Sequence, residues 1–141
     1  MSYSMNLLRK LFLTREIKSQ EGALHFQRWR LLQTPWFAIY IHRIYRHDED
    51  VHCHDHPWSF VSIILGGGYD VTYPGWLGWT SPFIVSVNKS TKFHQITRLH
   101  KVPTTTLVFT GPRNREWGYD VDGEWVHHKE YRSRKRAGEF K

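Results

Sequence analysis

Short runs of β-branched and aromatic residues, separated by turn residues, dominate the chain from residue 36 to residue 128. Apolar and polar positions that alternate within such runs are typical of strands with one buried face. Seven strands are predicted: residues 37–45, 60–65, 69–73, 83–87, 104–109, 117–121 and 124–128. The breaks between them include Gly66-Gly67-Gly68, Pro74-Gly75 and the hairpin signal Asp122-Gly123. Strands of this number and spacing predict one mostly β domain: a sandwich, a jelly roll or a small barrel.

The two ends of the chain have different patterns. Apolar residues recur at helical spacing in two short segments, Leu7-Leu8 with Leu11-Phe12, and Leu24 with Arg28 and Leu31-Leu32. We therefore predict an N-terminal arm of short helices, residues 1–35, packed outside the barrel or across a dimer. The β-domain follows at residues 36–128, and a basic C-terminal tail, frayed at residues 132–136, occupies residues 129–141.

Charge and cysteine content narrow the possible functions. The 141-residue chain has a formal net charge of +7, but residues 1–30 and 129–141 each hold six Lys/Arg and two acids, leaving −1 for residues 31–128. A near-neutral centre argues against specific nucleic-acid binding. The single cysteine, Cys53, excludes an internal disulfide or a multi-cysteine zinc site. We find no membrane-span or signal-peptide pattern and expect a cytoplasmic protein that does not bind membranes.

Candidate metal ligands are concentrated around residues 51–58, with the sequence Val-His-Cys-His-Asp-His-Pro-Trp. In an extended segment His52, His54 and His56 point to one face, about 7 Å between successive members. Two of them can share one cation, and a third ligand must then come from another strand. His94, which follows the strand predicted at residues 83–87, is the natural donor.

The residues between and beyond these histidines are expected to have structural roles. Cys53 and Asp55 alternate to the opposite face, so we expect Cys53 not to bind metal and Asp55 to form a turn or orient a ligand. Six further histidines are interpreted by default as hydrogen-bonded structural groups: His25, His42, His47, His100, His127 and His128.

The segment His54-Asp55-His56-Pro57, followed by an apolar strand and a glycine turn, resembles the first motif of cupins, and His94 resembles the histidine of the second. More narrowly, three phrases resemble small cupins of bacteria and phages: His-Asp-His-Pro-Trp, Ile64-Leu65-Gly66-Gly67-Gly68-Tyr69, and Gly111-Pro112-Arg113 running into Glu116-Trp117-Gly118-Tyr119. The resemblance covers residues 36–128. It implies a single-domain, cupin-type jelly-roll β-barrel, with the short N-terminal helices added to it.

The sequence departs from the cupin pattern at the glutamate that follows the histidine pair. That position falls on Val61 if the ligands are His54 and His56, and on Ser59 if they are His52 and His54. The proline after His56 favours the first register, and His52 stays an alternative ligand.

The site implied by the resemblance has three histidines, no carboxylate and open positions, as in the thiol-dioxygenase branch of cupins. One divalent metal ion is expected: Fe(II) is favoured, and Mn, Ni or Zn also suit imidazole ligands. Neutral imidazoles leave the +2 charge unbalanced, which favours a small anionic substrate.

Further pocket residues are proposed from their positions in or near strands. An arginine could bind an anionic group bidentately, an aromatic ring could line the pocket, and an acid or a phenol could act as a base. The arginine candidates are Arg43, Arg98 and Arg113. The aromatic candidates are Trp58, placed nearest the metal, and Trp117. The candidate catalytic groups are Glu116 and Tyr69.

Three functions remain open on the sequence. The first is a metal-dependent enzyme, either an oxygenase on a small anionic substrate or, as a further alternative, a sugar isomerase or lyase. The second is a non-catalytic barrel that binds a small ligand. The third is a phage or host interaction protein on a cupin scaffold, since fold does not fix function. A homodimer is expected in each case.

Overall fold

A computed structural model describes residues 13–19 and 21–140, and in these residues the chain is mostly β. The strands, in chain order, are β1 (Leu13–Lys18), β2 (Leu24–Gln33), β3 (Ala38–Ile44), β4 (Phe60–Gly66), β5 (Tyr69–Tyr73), β6 (Trp76–Thr80), β7 (Val85–Asn88), β8 (Gln95–Leu99), β9 (Thr104–Thr110), β10 (Gly118–Val121) and β11 (Glu124–His127). The helix α1 (His128–Arg136) follows them. The predicted mostly β class is confirmed.

The strands form three antiparallel groups around one interior space. Six of them make a sheet in the order β1-β2-β3-β9-β4-β7, three make a second sheet in the order β6-β5-β8, and β10 pairs with β11 as a hairpin. Side chains from both larger sheets line one cavity of about 460 Å³. The sheets therefore enclose the space in which the histidines lie.

Alternation along the strands decides which side chains face this cavity. On β4, Phe60 and Ser62 line it, and on β9, Thr106, Val108 and Thr110 do so. Residues two apart share a face of a strand, so the intervening residues point away from the cavity. The buried wall includes several hydroxyl groups. These hydroxyl groups can form hydrogen bonds with a polar molecule in the cavity.

The helix predicted around Leu24 is wrong, because these residues form β2. Arg28 of β2 lies opposite His42 of β3, and Phe26 opposite Ile44. Residues four apart share a face in a strand as well as in a helix, so the spacing of Leu24 and Arg28 fitted both. The other predicted helix, at residues 7–12, lies outside the described residues.

The C-terminal segment is folded where the sequence predicted a frayed tail. Residues 132–136 belong to α1, whose first turn is capped by the His127 side chain accepting the Lys129 N–H at 3.2 Å. Tyr131 is 0% exposed, and its ring stacks on Tyr119 of β10 with ring centroids 3.7 Å apart. An aromatic contact in the middle of a charged helix therefore fixes the tail on the barrel.

The remaining differences are one strand boundary and three further strands. The strand predicted at residues 83–87 begins at Val85. The strands β1, β6 and β8 were not predicted, and β1 lies in the arm predicted to be helical. In residues 13–19 and 21–140 the structure contains no helix that is long and apolar enough to cross a bilayer.

We predict that Tyr131→Ala lowers the free energy of unfolding by about 3–5 kcal/mol, because it removes a fully buried aromatic ring. Tyr131→Phe keeps the ring and loses only the hydroxyl contact with His52 Nδ1 at 2.9 Å, which costs about 1 kcal/mol. Urea denaturation measures both. The exposed Arg136→Ala on the same helix is the control, and a Tyr131→Ala protein as stable as this control would contradict the docking.

Candidate metal centre

His54 and His94 are held opposite each other by their own backbones. The His54 N–H donates to the His94 carbonyl at 2.9 Å, and the His94 N–H donates to the His54 carbonyl at 2.9 Å. Two residues that exchange both bonds are directly opposite in an antiparallel pair, and their side chains lie on the same side. This isolated bridge brings together two histidines that are far apart in sequence.

The other side of the His54 segment is bound to β10. The Asp55 N–H donates to the Gly118 carbonyl at 3.0 Å, and the Asp120 N–H donates to the Cys53 carbonyl at 2.9 Å. One residue further on, the His56 N–H donates to the Ser90 carbonyl at 3.1 Å. The segment therefore runs as a short strand between two neighbours, which fixes the directions of both His54 and His56.

Three imidazoles converge at this point. One potential ligand atom from each of His54, His56 and His94 lies within 4.8 Å of the other two. The shortest of these approaches joins His56 Nε2 and His94 Nε2 at 3.0 Å. The ring centroids of His54 lie 5.1 Å from His56 and 5.2 Å from His94. No carboxylate belongs to this cluster within the described residues.

Two of the three imidazoles, His56 and His94, have a lowered pKa and are neutral at physiological pH. Burial, followed by the nearby His54, lowers the pKa of His94 from 6.5 to about 3, and burial together with His94 and His54 holds the pKa of His56 well below 6.5. A neutral imidazole offers a free nitrogen lone pair, which is the form that binds a metal ion.

The donor set fits a first-row divalent cation. Two nitrogens about 2.0–2.1 Å from one ion are about 2.9–3.4 Å apart at angles between octahedral and tetrahedral. The 3.0 Å between His56 Nε2 and His94 Nε2 falls in that range. Three neutral nitrogens suit Fe(II), Mn(II), Ni(II) or Zn(II), and they leave coordination positions for other ligands.

Asp55 anchors the segment from the side opposite to the histidines. Its carboxylate is 1% exposed and accepts bonds from the Gly118 N–H at 2.7 Å, from Trp125 Nε1 at 3.1 Å and from Arg115. Arg115 also donates to the Ser90 carbonyl at 3.0 Å. The expectation that Asp55 orients a ligand agrees with this geometry, since it holds the backbone between His54 and His56.

An aromatic ring of β4 lies beside the cluster inside the cavity. The ring of Phe60 lies 4.9 Å from His56 and 6.0 Å from His94. The cupin glutamate position was assigned to Val61, and Val61 does not line the cavity. The side chain of β4 that touches the imidazoles is therefore a phenyl ring, and the candidate site is free of carboxylate on this strand.

His52 is not part of the cluster. Its Nδ1 pairs with the Tyr131 hydroxyl at 2.9 Å, and its ring packs edge-on against Phe140 at 4.9 Å. The chain bends at residues 51–52, so the regular alternation that placed His52 beside His54 does not hold there. The geometry favours the register with His54 and His56.

The two candidate tryptophans occupy different places. Trp58 lines the cavity, two residues after His56. Trp117 touches the His54 ring from outside the cavity, with centroids 6.2 Å apart, and stacks on His128 at 4.5 Å. Trp58 is thus available to a ligand in the cavity, whereas Trp117 supports the back of His54.

The three candidate arginines lie outside the cavity. Arg43 lies 5.5 Å from the ring of Trp29 on the outer face of the sheet. Arg98 is exposed and reaches Asp70 at 3.8 Å, and Arg113 reaches Glu116 at 3.6 Å. The structure does not bring these arginines to the histidine cluster.

The two candidate catalytic groups also separate. Tyr69 lines the cavity, and burial raises its pKa to about 12. Glu116 is exposed outside it, 3.1 Å from His127 Nε2 and 4.0 Å from His128 Nε2. Of the two, only Tyr69 can reach a ligand in the cavity.

Two residues that line the cavity, Arg28 and His42, were not predicted from the sequence to belong to the site. Arg28 Nε donates to His42 Nε2 at 3.1 Å, and both side chains line the cavity. Arg28 was assigned to a helix and His42 to a structural group by default. The signal that could have found them is the even spacing of Phe26 and Arg28, which also fits one face of a strand.

No protein-family model matches this sequence, and no curated protein matches it. Solved structures match its fold. The polyketide cyclase RemF from Streptomyces resistomycificus is 12% identical, with a TM-score of 0.60 over 79% of each chain. A Klebsiella pneumoniae protein with a double-stranded beta-helix domain is 13% identical, with a TM-score of 0.55 over 73% of this chain and 89% of that one. HppE in its Fe(II) form is 9% identical, with a TM-score of 0.55 over 68% of this chain and 55% of that one.

These neighbours are cupin, or double-stranded β-helix, proteins. The chain therefore has the cupin fold, as the resemblance implied. At these identities the likeness establishes the fold, and the neighbours with this fold include enzymes.

We predict that Asp55→Ala lowers the free energy of unfolding by about 3–5 kcal/mol, because Arg115 then loses its buried carboxylate partner. Urea denaturation followed by tryptophan fluorescence measures the change. Glu124→Ala, at an exposed carboxylate on β11, is the matched control and shifts stability by less than about 0.5 kcal/mol. Equal stability of the two variants would refute the anchoring role.

We also predict that stability falls as the pH falls below 6.5, in part through His42. Burial, then the charges of Arg28 and Arg15, lower the pKa of His42 from 6.5 to about 3. Between these pH values the unfolded chain binds a proton that the native protein does not, so acid favours unfolding. From pH 7 to pH 5, His42→Gln should lose about 1–2 kcal/mol less stability than wild type in urea titrations. Equal losses would contradict the assignment.

Proposed function

We propose that the protein binds one divalent metal ion through His54, His56 and His94 and is a metal-dependent enzyme. This proposal rests on the convergence of three imidazoles, with His56 Nε2 and His94 Nε2 3.0 Å apart, at the wall of a cavity of about 460 Å³. Without a metal, three adjacent histidines bring little structural benefit and lose stability on protonation.

Fe(II) is the metal we propose, and an oxygenase-type reaction on a small anionic substrate is the chemistry. Bound iron would supply a Lewis acid and the ability to activate dioxygen at its open positions. HppE, with the same fold, is known in an Fe(II) form. An anionic substrate would balance the charge that three neutral ligands leave on the ion.

The chain's own residues would position the substrate and limit water around it. Phe60 packs against His56 and His94, and Trp58 and Tyr69 line the same cavity. Tyr69, with a pKa of about 12, keeps its proton at neutral pH and can donate a hydrogen bond to a substrate oxygen. These groups make the site partly apolar with a few polar contacts, as in many small-molecule sites.

An isomerase or lyase is less well supported, because it needs a base near the substrate. Glu116 lies outside the cavity, and Tyr69 holds its proton. Asp50 does line the cavity, but its carboxylate accepts from the Tyr119 hydroxyl at 2.8 Å and from Lys135 Nζ at 2.7 Å. No free carboxylate next to the cluster is therefore found in the part of the chain that the structure describes.

We predict that protein purified without oxygen contains one equivalent of iron, and that His54→Ala, His56→Ala and His94→Ala each lose it. Plasma mass spectrometry measures the metal content of folded protein. His52→Ala, at a histidine outside the cluster, is the matched control and keeps the metal. The iron-loaded protein should then consume oxygen with some member of a panel of small carboxylic acids.

Two results would overturn this account at different points. If wild-type protein binds no metal after supplementation with iron, manganese, nickel and zinc, the metal-dependent enzyme is excluded. If one equivalent binds but oxygen is not consumed with any acid in the panel, the oxygenase assignment fails and a binding or non-redox role replaces it.

A further inference from the structure

Two arginines and a histidine form one row across the first three strands of the six-stranded sheet. Arg15 of β1 lies opposite Arg28 of β2, and Arg28 lies opposite His42 of β3. Directly opposite residues in antiparallel strands project from the same face. That face is the cavity wall, since all three side chains line the cavity.

The positive charge of this row is not balanced within the sheet. Like charges directly opposite each other destabilise a strand pair. Within residues 13–19 and 21–140, no Asp or Glu forms an ion pair with Arg15 or Arg28. Glu16, the acid nearest in sequence to Arg15, pairs with Lys18 at 3.2 Å and accepts from Gln27. The pairing costs stability, and an anion between the two guanidinium groups would offset that cost.

The acids at the cavity rim are already engaged by other groups. Glu49 lies 3.6 Å from His25 and 3.8 Å from Arg46. Asp48 accepts the Ile96 N–H at 2.7 Å. None of these contacts involves Arg28. The cavity wall formed by β1 and β2 therefore keeps the positive charge of its arginines.

The terminal nitrogens of Arg28 are available for a bidentate contact. Its Nε donates to His42 Nε2, which leaves the two terminal Nη groups for another acceptor. Its Cζ lies 4.8 Å from the centre of the Tyr40 ring, 5.8 Å from Phe26 and 6.0 Å from Trp58. Rings on several sides hold the guanidinium in place and offer an apolar surface to the body of a ligand. Trp58, which lies near Arg28, follows His56 by two residues.

We propose that Arg28, supported by Arg15 and His42, binds the oxyanion of a small ligand whose other end reaches the histidine cluster. The ligand class is a carboxylic acid or phosphate ester with an apolar or planar body. This inference rests on the proposed function for the role of the histidines, but binding of the oxyanion itself does not need the metal. Arg28 thus takes the role that was predicted for Arg43, Arg98 and Arg113.

The test is isothermal titration of chelator-treated, metal-free protein with benzoate, inorganic phosphate and neutral benzamide. We expect wild type to bind at least one of the two anions, and benzamide at least tenfold more weakly. Arg28→Gln should weaken anion binding tenfold or more. Arg28→Lys should weaken it severalfold, because an ammonium cannot form the planar two-bond contact. Arg43→Gln, at an arginine on the outer face, is the matched control and binds as wild type.

The anion that binds more tightly distinguishes a carboxylic acid from a phosphate ester. The proposal is overturned if wild type binds neither anion, if benzamide binds as well as benzoate, or if Arg28→Gln binds like wild type. Circular dichroism checks the folding of each variant. The Arg28→Gln variant should melt no lower than wild type, because the substitution removes the repulsion from Arg15. If Arg28→Gln does not fold, the anion affinity of Arg28→Lys decides whether Arg28 binds the oxyanion. Metal content, measured separately, should be unchanged in both Arg28 variants, so a failed anion site and a failed metal site give different results.

Discussion

His54 and Asp55 are adjacent in the chain, and their side chains leave it in opposite directions. Asp55 is buried among the donors Gly118, Trp125 and Arg115, while His54 faces His94 across a pair of backbone hydrogen bonds. A carboxylate with this burial is held in one position, because moving it would leave the acid without its donors and Arg115 without its carboxylate partner. The geometry of the histidine cluster depends on this anchor.

The cavity wall carries two chemically different groups. One is the histidine cluster beside Phe60, and the other is Arg28 with its aromatic neighbours. A metal ion would make the histidine cluster cationic as well, so both groups would attract negative charge. On this basis we propose an anionic ligand, whether or not the ion is iron. The stability lost by opposing Arg15 and Arg28 is understandable if ligand binding recovers it.

The histidine pair and most of the barrel strands could be predicted from sequence, because alternation and turn residues are local signals. His52 could not be excluded from the metal ligands in this way, because its position depends on a contact with Tyr131 of α1. That helix was not predicted, since the basic composition of the tail indicated a frayed segment. Arg28 was missed because a four-residue spacing fits a helix and a strand alike. Glu116 was placed with the site by its position in the chain, yet only tertiary structure could put it outside the cavity. The expected homodimer stays a prediction.

We propose that His54, His56 and His94 bind one ion together. X-ray absorption spectroscopy of the zinc-loaded protein tests it most directly, because imidazole rings give a characteristic scattering pattern. We predict three imidazole nitrogens at about 2.0–2.1 Å, completed by oxygen ligands that lack the ring pattern, and two imidazoles or loss of the ion in His94→Ala. Sulfur among the ligands, or an imidazole count that does not change in His94→Ala, would contradict joint binding by the three histidines.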